Sequence, residues 1–433
     1  MATALDAPKG TFRLSMLIYD TRYRSVTIQV IALILVVLGV SWLINNLTVN
    51  LAEKGKDINF GFLTSRAGYD IGQHLVPYTN DSSHGRAAIV GFLNTLVVAG
   101  PACFFATILG VIVGVLRLSK NWLVDKLMTV YVEVFRNVPL LLWILLAYVV
   151  FSEIMPPTGA FKVTDQMIAE GTEPAASMIL NNSVAFTNNG VNMPLPLFAC
   201  DRFFAGRCGL GEINILTIPV SLNYLALIAV VIGGIMANRA ILRHAKSVQE
   251  ATGLRPATWW KSLIVILGLP ILLLWVLGFH LEYPVLGRFN FQGGLSITNA
   301  FTALLIALVL YTATYIAEAV RAGILAISHG QSEAAFALGL RPNRTMSLVV
   351  LPQALRVIIP PMISQYLNIT KNTSLGIAVS YLDLRGTLGG ITLNQTGREL
   401  ECMLLMMGIY LLISLIISAI MNAYNNAVRL KER

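Results

Sequence analysis

Apolar residues in this chain gather into long runs without a polar face, and the segments between the runs carry most of the charge. A helix that crosses a bilayer needs roughly 20 apolar residues. Eight runs reach that length, at about 25–47, 87–116, 130–152, 217–237, 259–279, 297–320, 353–379 and 402–424. Inside hydrocarbon every backbone group must be satisfied within its own segment, so each run predicts a helix. The seventh is the least regular, because it contains Pro360, Pro361 and a polar stretch from Asn368 to Ser374. The expectation is an all-α, polytopic membrane protein with about eight transmembrane helices.

Composition strengthens that reading. Hydrophobic residues make up 56% of the chain and charged residues 12%, about half the charge a soluble surface needs. The net charge of +9 raises nucleic acid as a partner, but the basic residues lie between apolar runs, where the positive-inside rule explains them. They concentrate in alternate segments: Arg22 and Arg24, then Arg117, Lys120 and Lys126, then Arg239, Arg243 and Lys246, then Arg341 and Arg344, then Arg429, Lys431 and Arg433. That alternation puts both termini in the cytoplasm. The first run lacks a small-residue cleavage site and reads as an uncleaved anchor. Two outer stretches are long, about 48–86 and 153–216. The second is rich in Pro, Asn and Gly, as in Asn188-Asn189-Gly190, and reads as a loop or small cap.

The segment from Ser328 to Pro352 is polar and inner, yet its pattern is helical. Ser328 and Gln331 have capping-box spacing. Glu333 to Leu338 suit a short helix that Gly339 would end in the left-handed conformation. Pro342 is placed to start a second helix. A helix this short persists only when docked, and the small Ala334–Ala335 face suits docking into a groove.

Glu333-Ala334-Ala335, three residues, Gly339, nine residues, Val349, one residue and Leu351-Pro352 resemble the EAA loop of binding-protein-dependent ABC importer permeases. Val349 stands where Ile is usual. Tyr315-Ile316-Ala317-Glu318 before the loop and Lys371-Asn372-Thr373-Ser374-Leu375 after it look like the matching segments of polar amino-acid permeases. So do Asn94-Thr95-Leu96 and the E-x-x-R-x-x-P-L stretch from Glu133 to Leu140. The extra first span, and two more at 217–237 and 259–279, resemble the enlarged general L-amino-acid permease subunits.

The resemblance implies a type I, MetI-like permease fold in the bacterial cytoplasmic (inner) membrane. It implies an N-terminal anchor and outer loop over 1–86 and a permease domain over 87–426, with an outer loop and two extra helices inserted at about 153–296. Glu333, Ala334, Ala335, Gly339 and Arg341 would couple the chain to a separate ABC ATPase. A second, different permease subunit and a periplasmic amino-acid-binding protein would complete the importer.

Lys371, Asn372, Thr373, Ser374 and Tyr315 are candidates for the substrate path, since transporters build sites on loosened helices; helix–helix hydrogen bonding is the alternative. Glu318 and Arg321 fit an intrahelical ion pair. Glu133 and Arg136 would pair or meet headgroups, and Asp383, Arg385, Glu399 and Glu401 would be solvated or touch a docking protein. Cys200 and Cys208 could bond in the outer stretch or stay unpaired. No metal constellation forms among the scattered His residues. No G-x-x-x-x-G-K-[ST] is present, so the chain needs no cofactor of its own and ATP would be bound by the partner ATPase. No nucleophile–base motif marks an enzyme. The alternative, an ion-coupled secondary amino-acid transporter, would need related halves and a buried ion site.

Overall fold

The structure, a computed structural model, describes residues 16–428 apart from 54, 56, 164–166, 168, 170, 171, 200–208, 216 and 217. It divides into two units, Met1–Phe60 and Gly61–Arg433. The first is built on α1 (Thr21–Glu53), whose apolar window has no buried residue within the chain, as expected of a helix solvated by lipid.

In the second unit the elements follow in order: α2 (His84–Leu116), α3 (Trp122–Asn137) and α4 (Leu140–Val149), with a π-turn from Val150 to Ile154. Strands β1 (Ala185–Thr187), β2 (Gly190–Met193), β3 (Leu195–Phe198), β4 (Glu212–Ile215) and β5 (Ile218–Ser221) come next. A helical hairpin of α5 (Leu222–Thr252) and α6 (Trp259–Val276) leads to β6 (Phe279–Glu282), β7 (Val285–Leu286), β8 (Phe291–Gln292) and β9 (Leu295–Thr298). Then come α7 (Asn299–Leu325), α8 (His329–Ala337), α9 (Pro342–Thr345), α10 (Leu351–Asn372) and α11 (Glu399–Val428). By length and apolarity the described helices provide seven spans, or eight if the bent pair α3–α4 is counted as one.

Three run boundaries differ from the expectation. The third run, 130–152, is broken: α3 and α4 meet at 102°. Pro139 is the cause. It fixes its own φ at −56° and holds Val138 extended at φ −103°, ψ 133°, which a helix cannot accommodate. The fourth run begins as strand β5 and becomes helix only at Leu222. It continues past 237 to Thr252, where Gly253 caps it at φ +75°. In the seventh run α10 passes through Pro360 and Pro361 unbroken to Asn372 and tightens into a 3-10 helix at Thr373–Val379.

The core lies where α2, α4, α7 and α10 meet, around Val98, Ile144, Leu304, Leu308, Ile316, Ile358 and Ile369. In lipid, apolar side chains gain little by leaving their solvent, so helices associate through close packing of small residues. The α2–α7 contact works this way. Ala102, Ala106, Ala313 and Ala317 are buried there, and a Cβ added at Gly114 would stand 2.6 Å from the Ala317 carbonyl oxygen. Gly114→Val must therefore push the two backbones apart. A loss of about 2 kcal/mol is expected from overpacking, visible as a lower midpoint in thermal unfolding of the detergent-solubilised protein. An unchanged midpoint would contradict the packing described.

The Pro/Asn/Gly-rich stretch is a β-cap. β2 pairs antiparallel with β1 and β9, and β3 pairs with β6, so strands before the α5–α6 hairpin close against strands after it. Asn188 and Asn189 form the two-residue turn between β1 and β2, with Thr187 opposite Gly190. Thr187 Oγ1 accepts from the N–H groups of Asn189 and Gly190. Cys200 and Cys208 lie outside the described residues.

Candidate coupling loop and a buried node at the far end of the bundle

At one end of the bundle, α8 and α9 form a self-packed loop. α8 packs on α9 and on the π-turn Met346–Val350. Its end is closed by two backbone bonds: Gly339 N–H donates to Phe336 O (2.8 Å) and Leu340 N–H to Ala335 O (3.1 Å). This is the Schellman arrangement, and it requires the positive φ of +79° that Gly339 adopts. Pro342 occupies the opening turn of α9.

Two expectations for the loop are corrected. The capping box does not form: Ser328 is the N-cap but its side chain makes no cap bond. Gln331 instead accepts from Gln353 Nε2 at 3.4 Å, strapping α8 to the start of α10. The Ala334–Ala335 pair does not form one outward face. Ala335 is buried, while Glu333, Ala334, Phe336 and Leu338 are exposed, Leu338 at 82%. A nine-residue helix lying on the next turn must bury one stripe, and Ala335 is small enough to sit there. Arg341 is exposed beside it.

A clamp holds the adjoining helix ends. The expected pair Glu318–Arg321 forms within α7, and Arg117 at the end of α2 joins it at 2.6 Å. Tyr315 hydrogen-bonds Tyr311 at 2.9 Å and lies under the Arg136 guanidinium at 5.1 Å. Glu133 accepts from Asn137. Glu133 and Arg136 thus make other contacts than each other, although their i, i+3 spacing puts them on one face of α3.

The 371–374 segment divides. Lys371 is exposed and Asn372 half-buried. Lys371 stands about 30 Å along the helix axis from Leu351, close to a full hydrocarbon thickness, so it sits toward the far end of α10. Its position in the last turn complements the helix dipole. Ser374 donates to the Lys371 carbonyl. Thr373 is fully buried and donates to Asp383 Oδ2 at 3.3 Å, so it joins helices and has no open face.

Asp383, expected to be solvated, is fully buried. Its Oδ1 accepts from Gly386 N–H at 2.9 Å, capping a short helical turn, and its Oδ2 accepts from Tyr410 at 3.1 Å as well as from Thr373. Burial pushes its carboxyl up to about 6, against hydrogen bonds that work in the opposite direction. Around it Leu384 N–H donates to Thr95 and Tyr381 donates to the Asn94 carbonyl. Glu401 is buried too, paired with Arg398 at 3.2 Å. The node ties α2, α10 and α11 together at the end of the bundle opposite the α8–α9 loop. Among the described residues no group of His, Cys, Asp and Glu could hold a metal ion.

Sequence reading missed Asp383 as a buried group: its cap on Gly386 is local, but the side chains that enclose its other oxygen come from 10 and 27 residues away. It also missed Asn188 and Asn299, which lie beside a polar cavity under the cap. For the first of these the Asn-Asn-Gly turn was a usable signal.

A family described as "Binding-protein-dependent transport system inner membrane component" matches residues 259–430. The glutamate/glutamine/aspartate/asparagine transport system permease protein BztB of Rhodobacter capsulatus is 61% identical over 100% of both chains. The general L-amino acid transport system permease protein AapQ of Rhizobium johnstonii is 42% identical over 100% of this chain and 98% of that one. Among solved structures, an amino acid ABC transporter with histidines is 16% identical at TM-score 0.42, covering 79% of this chain and 95% of that chain.

Proposed function

The chain belongs to the inner-membrane permeases of binding-protein-dependent ABC importers for polar amino acids, and on that premise we propose how it works within one. It is a multi-pass transport subunit with the type I permease fold, not an enzyme. An importer of this kind needs an ATPase and a binding protein. In our reading the α8–α9 loop faces the cytoplasm, with both termini on the same side, and enters a cleft of the ATPase subunit, which binds the ATP. Glu333, Ala334 and Arg341 lie on its outward surface. Gly339 sets its shape and Ala335 supports it from beneath. The Schellman closure carries this reading. A loop that ends its first helix in a fixed left-handed turn and leaves Phe336 and Leu338 exposed is preformed for an apolar groove.

A second, different permease subunit completes the path. Asn372, Ser374, Lys371 and Tyr315 remain the path candidates of this chain, with Lys371 exposed toward whatever covers that face. By likeness to its 61% identical relative, the substrates are glutamate, glutamine, aspartate and asparagine. Reconstitution with both permeases, the ATPase and the binding protein in liposomes tests this directly. ATP-dependent accumulation of labelled glutamine is expected. Accumulation without ATP or without the ATPase would overturn it in favour of an ion-coupled carrier.

A further inference from the structure

The α5–α6 hairpin stands apart from the core, and its two apolar windows bury almost no residue within the chain. α5 packs on α6 and on strand β4. Close approach fixes the register of the hairpin, since a Cβ added at Gly234 would stand 2.7 Å from the Val265 carbonyl oxygen. Away from that seam, one stripe runs along α5. Ile228, Ile232 and Ile235 recur at i, i+4 and i+7, each roughly half exposed. The same spacing continues through Arg239, Arg243 and Lys246, all exposed. The stripe therefore changes from aliphatic to basic between Ile235 and Arg239, and it does so at a definite depth. Leu222 to Arg239 is about 26 Å at the rise of an α-helix, against a hydrocarbon thickness of about 30 Å. Arg239 thus stands near the hydrocarbon edge, where lipid phosphates begin, and Arg243 is about 6 Å further out. By the register at Gly234 and Val265, the start of α6 lies level with Arg239. Trp259 is exposed there, and Lys261 Nζ lies 5.3 Å from the centre of the Trp260 ring, as in the aromatic belt of a membrane edge.

We propose that this stripe binds an anionic phospholipid whose headgroup carries no amine. The acyl chains lie along Ile232 and Ile235. The phosphate accepts from the Arg239 and Arg243 guanidiniums, whose planar forks match phosphate oxygens. Among the described residues neither arginine has an ion-pair partner, so both can take one. Lys246 shares its charge with Glu250 at 3.7 Å, which limits the strong part of the site to the two arginines. A zwitterionic headgroup fits less well, because its amine would meet Arg243 or Lys246. A protein subunit is the poorer cover, since burying two unpaired guanidiniums is costly, whereas a lipid phosphate leaves them at the water edge. The positive-inside rule accounts for cations at this end of the span, but not for their alignment on the lipid-facing stripe, which is what a basic cluster beside a span offers to anionic lipid. The site needs only that α5 cross the bilayer and is independent of the importer reading.

The test is native mass spectrometry of the full chain, purified with whatever subunits accompany it, delipidated, and titrated with phosphatidylglycerol or with phosphatidylcholine of the same acyl chains. Phosphatidylglycerol is expected to bind at least fivefold more tightly. The double variant Arg239→Gln, Arg243→Gln should lose that preference. Its phosphatidylcholine binding and thermal unfolding should not change, since both side chains are exposed. If it does not fold, Arg243→Gln alone decides, with a loss of at least twofold expected. The control Lys120→Gln, Lys126→Gln removes the same charge from exposed positions around the start of α3 and should keep the preference. Equal binding of the two lipids, an unchanged preference in the arginine variant, or equal losses in both double variants would each overturn the proposal. So would loss of an accompanying subunit from the arginine variant with lipid binding intact, which would make the stripe a subunit contact.

Discussion

In Gly339→Pro, ATP-driven uptake is expected to fall by roughly 100-fold while the protein inserts and assembles normally. Gly339 sits at φ +79° and donates its N–H to Phe336 O at 2.8 Å. Proline fixes φ near −65° and has no N–H, so the left-handed turn cannot form. That costs about 3 kcal/mol, which converts to about 100-fold in the population of the closed loop. A graded series separates this cause from a general disturbance. Gly339→Ala keeps the donor but pays about 1 kcal/mol for the left-handed backbone, so a loss of roughly fivefold is expected. Gly339→Asn, which tolerates that conformation, should stay close to the parent. No Cβ clash confuses the series, since nothing lies within 4 Å of a Cβ at this position. Uptake rates in liposomes, set against ATPase binding, check the order. Full activity of the proline variant would remove the loop from the coupling assignment.

Asp383 gives the second large effect, and its sign depends on what replaces it. Asp383→Ala strands two donors, from Gly386 and Tyr410, while Thr373 keeps the Thr370 carbonyl. At about 1 kcal/mol or more each, a loss of about 2 kcal/mol at neutral pH is expected. Asp383→Asn keeps the cap through its amide oxygen, and the Thr373 and Tyr410 hydroxyls can turn to accept from its nitrogen. It should lie within about 1 kcal/mol of the parent. The pH dependence distinguishes the two further. The native carboxyl titrates at about 6, above its ordinary value of about 3.9. Folding therefore favours the protonated form, so this group's contribution is complete below about pH 4 and is lost as pH rises through 6. Lowering pH from 7 to 4 should raise the parent's stability relative to Asp383→Asn by up to about 3 kcal/mol. Thermal unfolding of both proteins across that range measures the difference; parallel curves would mean the carboxyl is not desolvated.

The spans were legible because length and apolarity are local properties that lipid imposes on any segment crossing it. So was the Gly339 turn, since a left-handed helix end selects glycine almost by itself. The break at Pro139 was also local, but its reading was masked by the apolar residues on both sides, which looked like one run. What escaped were contacts between distant segments. Ser380-Tyr381-Leu382-Asp383 looks like an outer loop, and only the arrival of Thr373 and Tyr410 makes Asp383 a core residue. Ala335 escaped for a related reason: the pattern fixes a helix, but the turn that follows decides which stripe is covered.

The helical stretch from Pro342 to Val379 behaves as a lever with one soft joint. It is 38 residues long and is gripped at both ends. At the lower end the Gln331–Gln353 strap and the α8 contact hold it; at the upper end the Thr373–Asp383 bond does. Pro360 and Pro361 leave the carbonyls of Arg356 and Val357 without their helical donors, so resistance to bending is lowest there. That point is about 27 Å from Pro342 at the rise of an α-helix, close to midway. Under the coupling proposed above, a push on the α8–α9 loop is delivered as an angle at that joint, with the far grip unmoved.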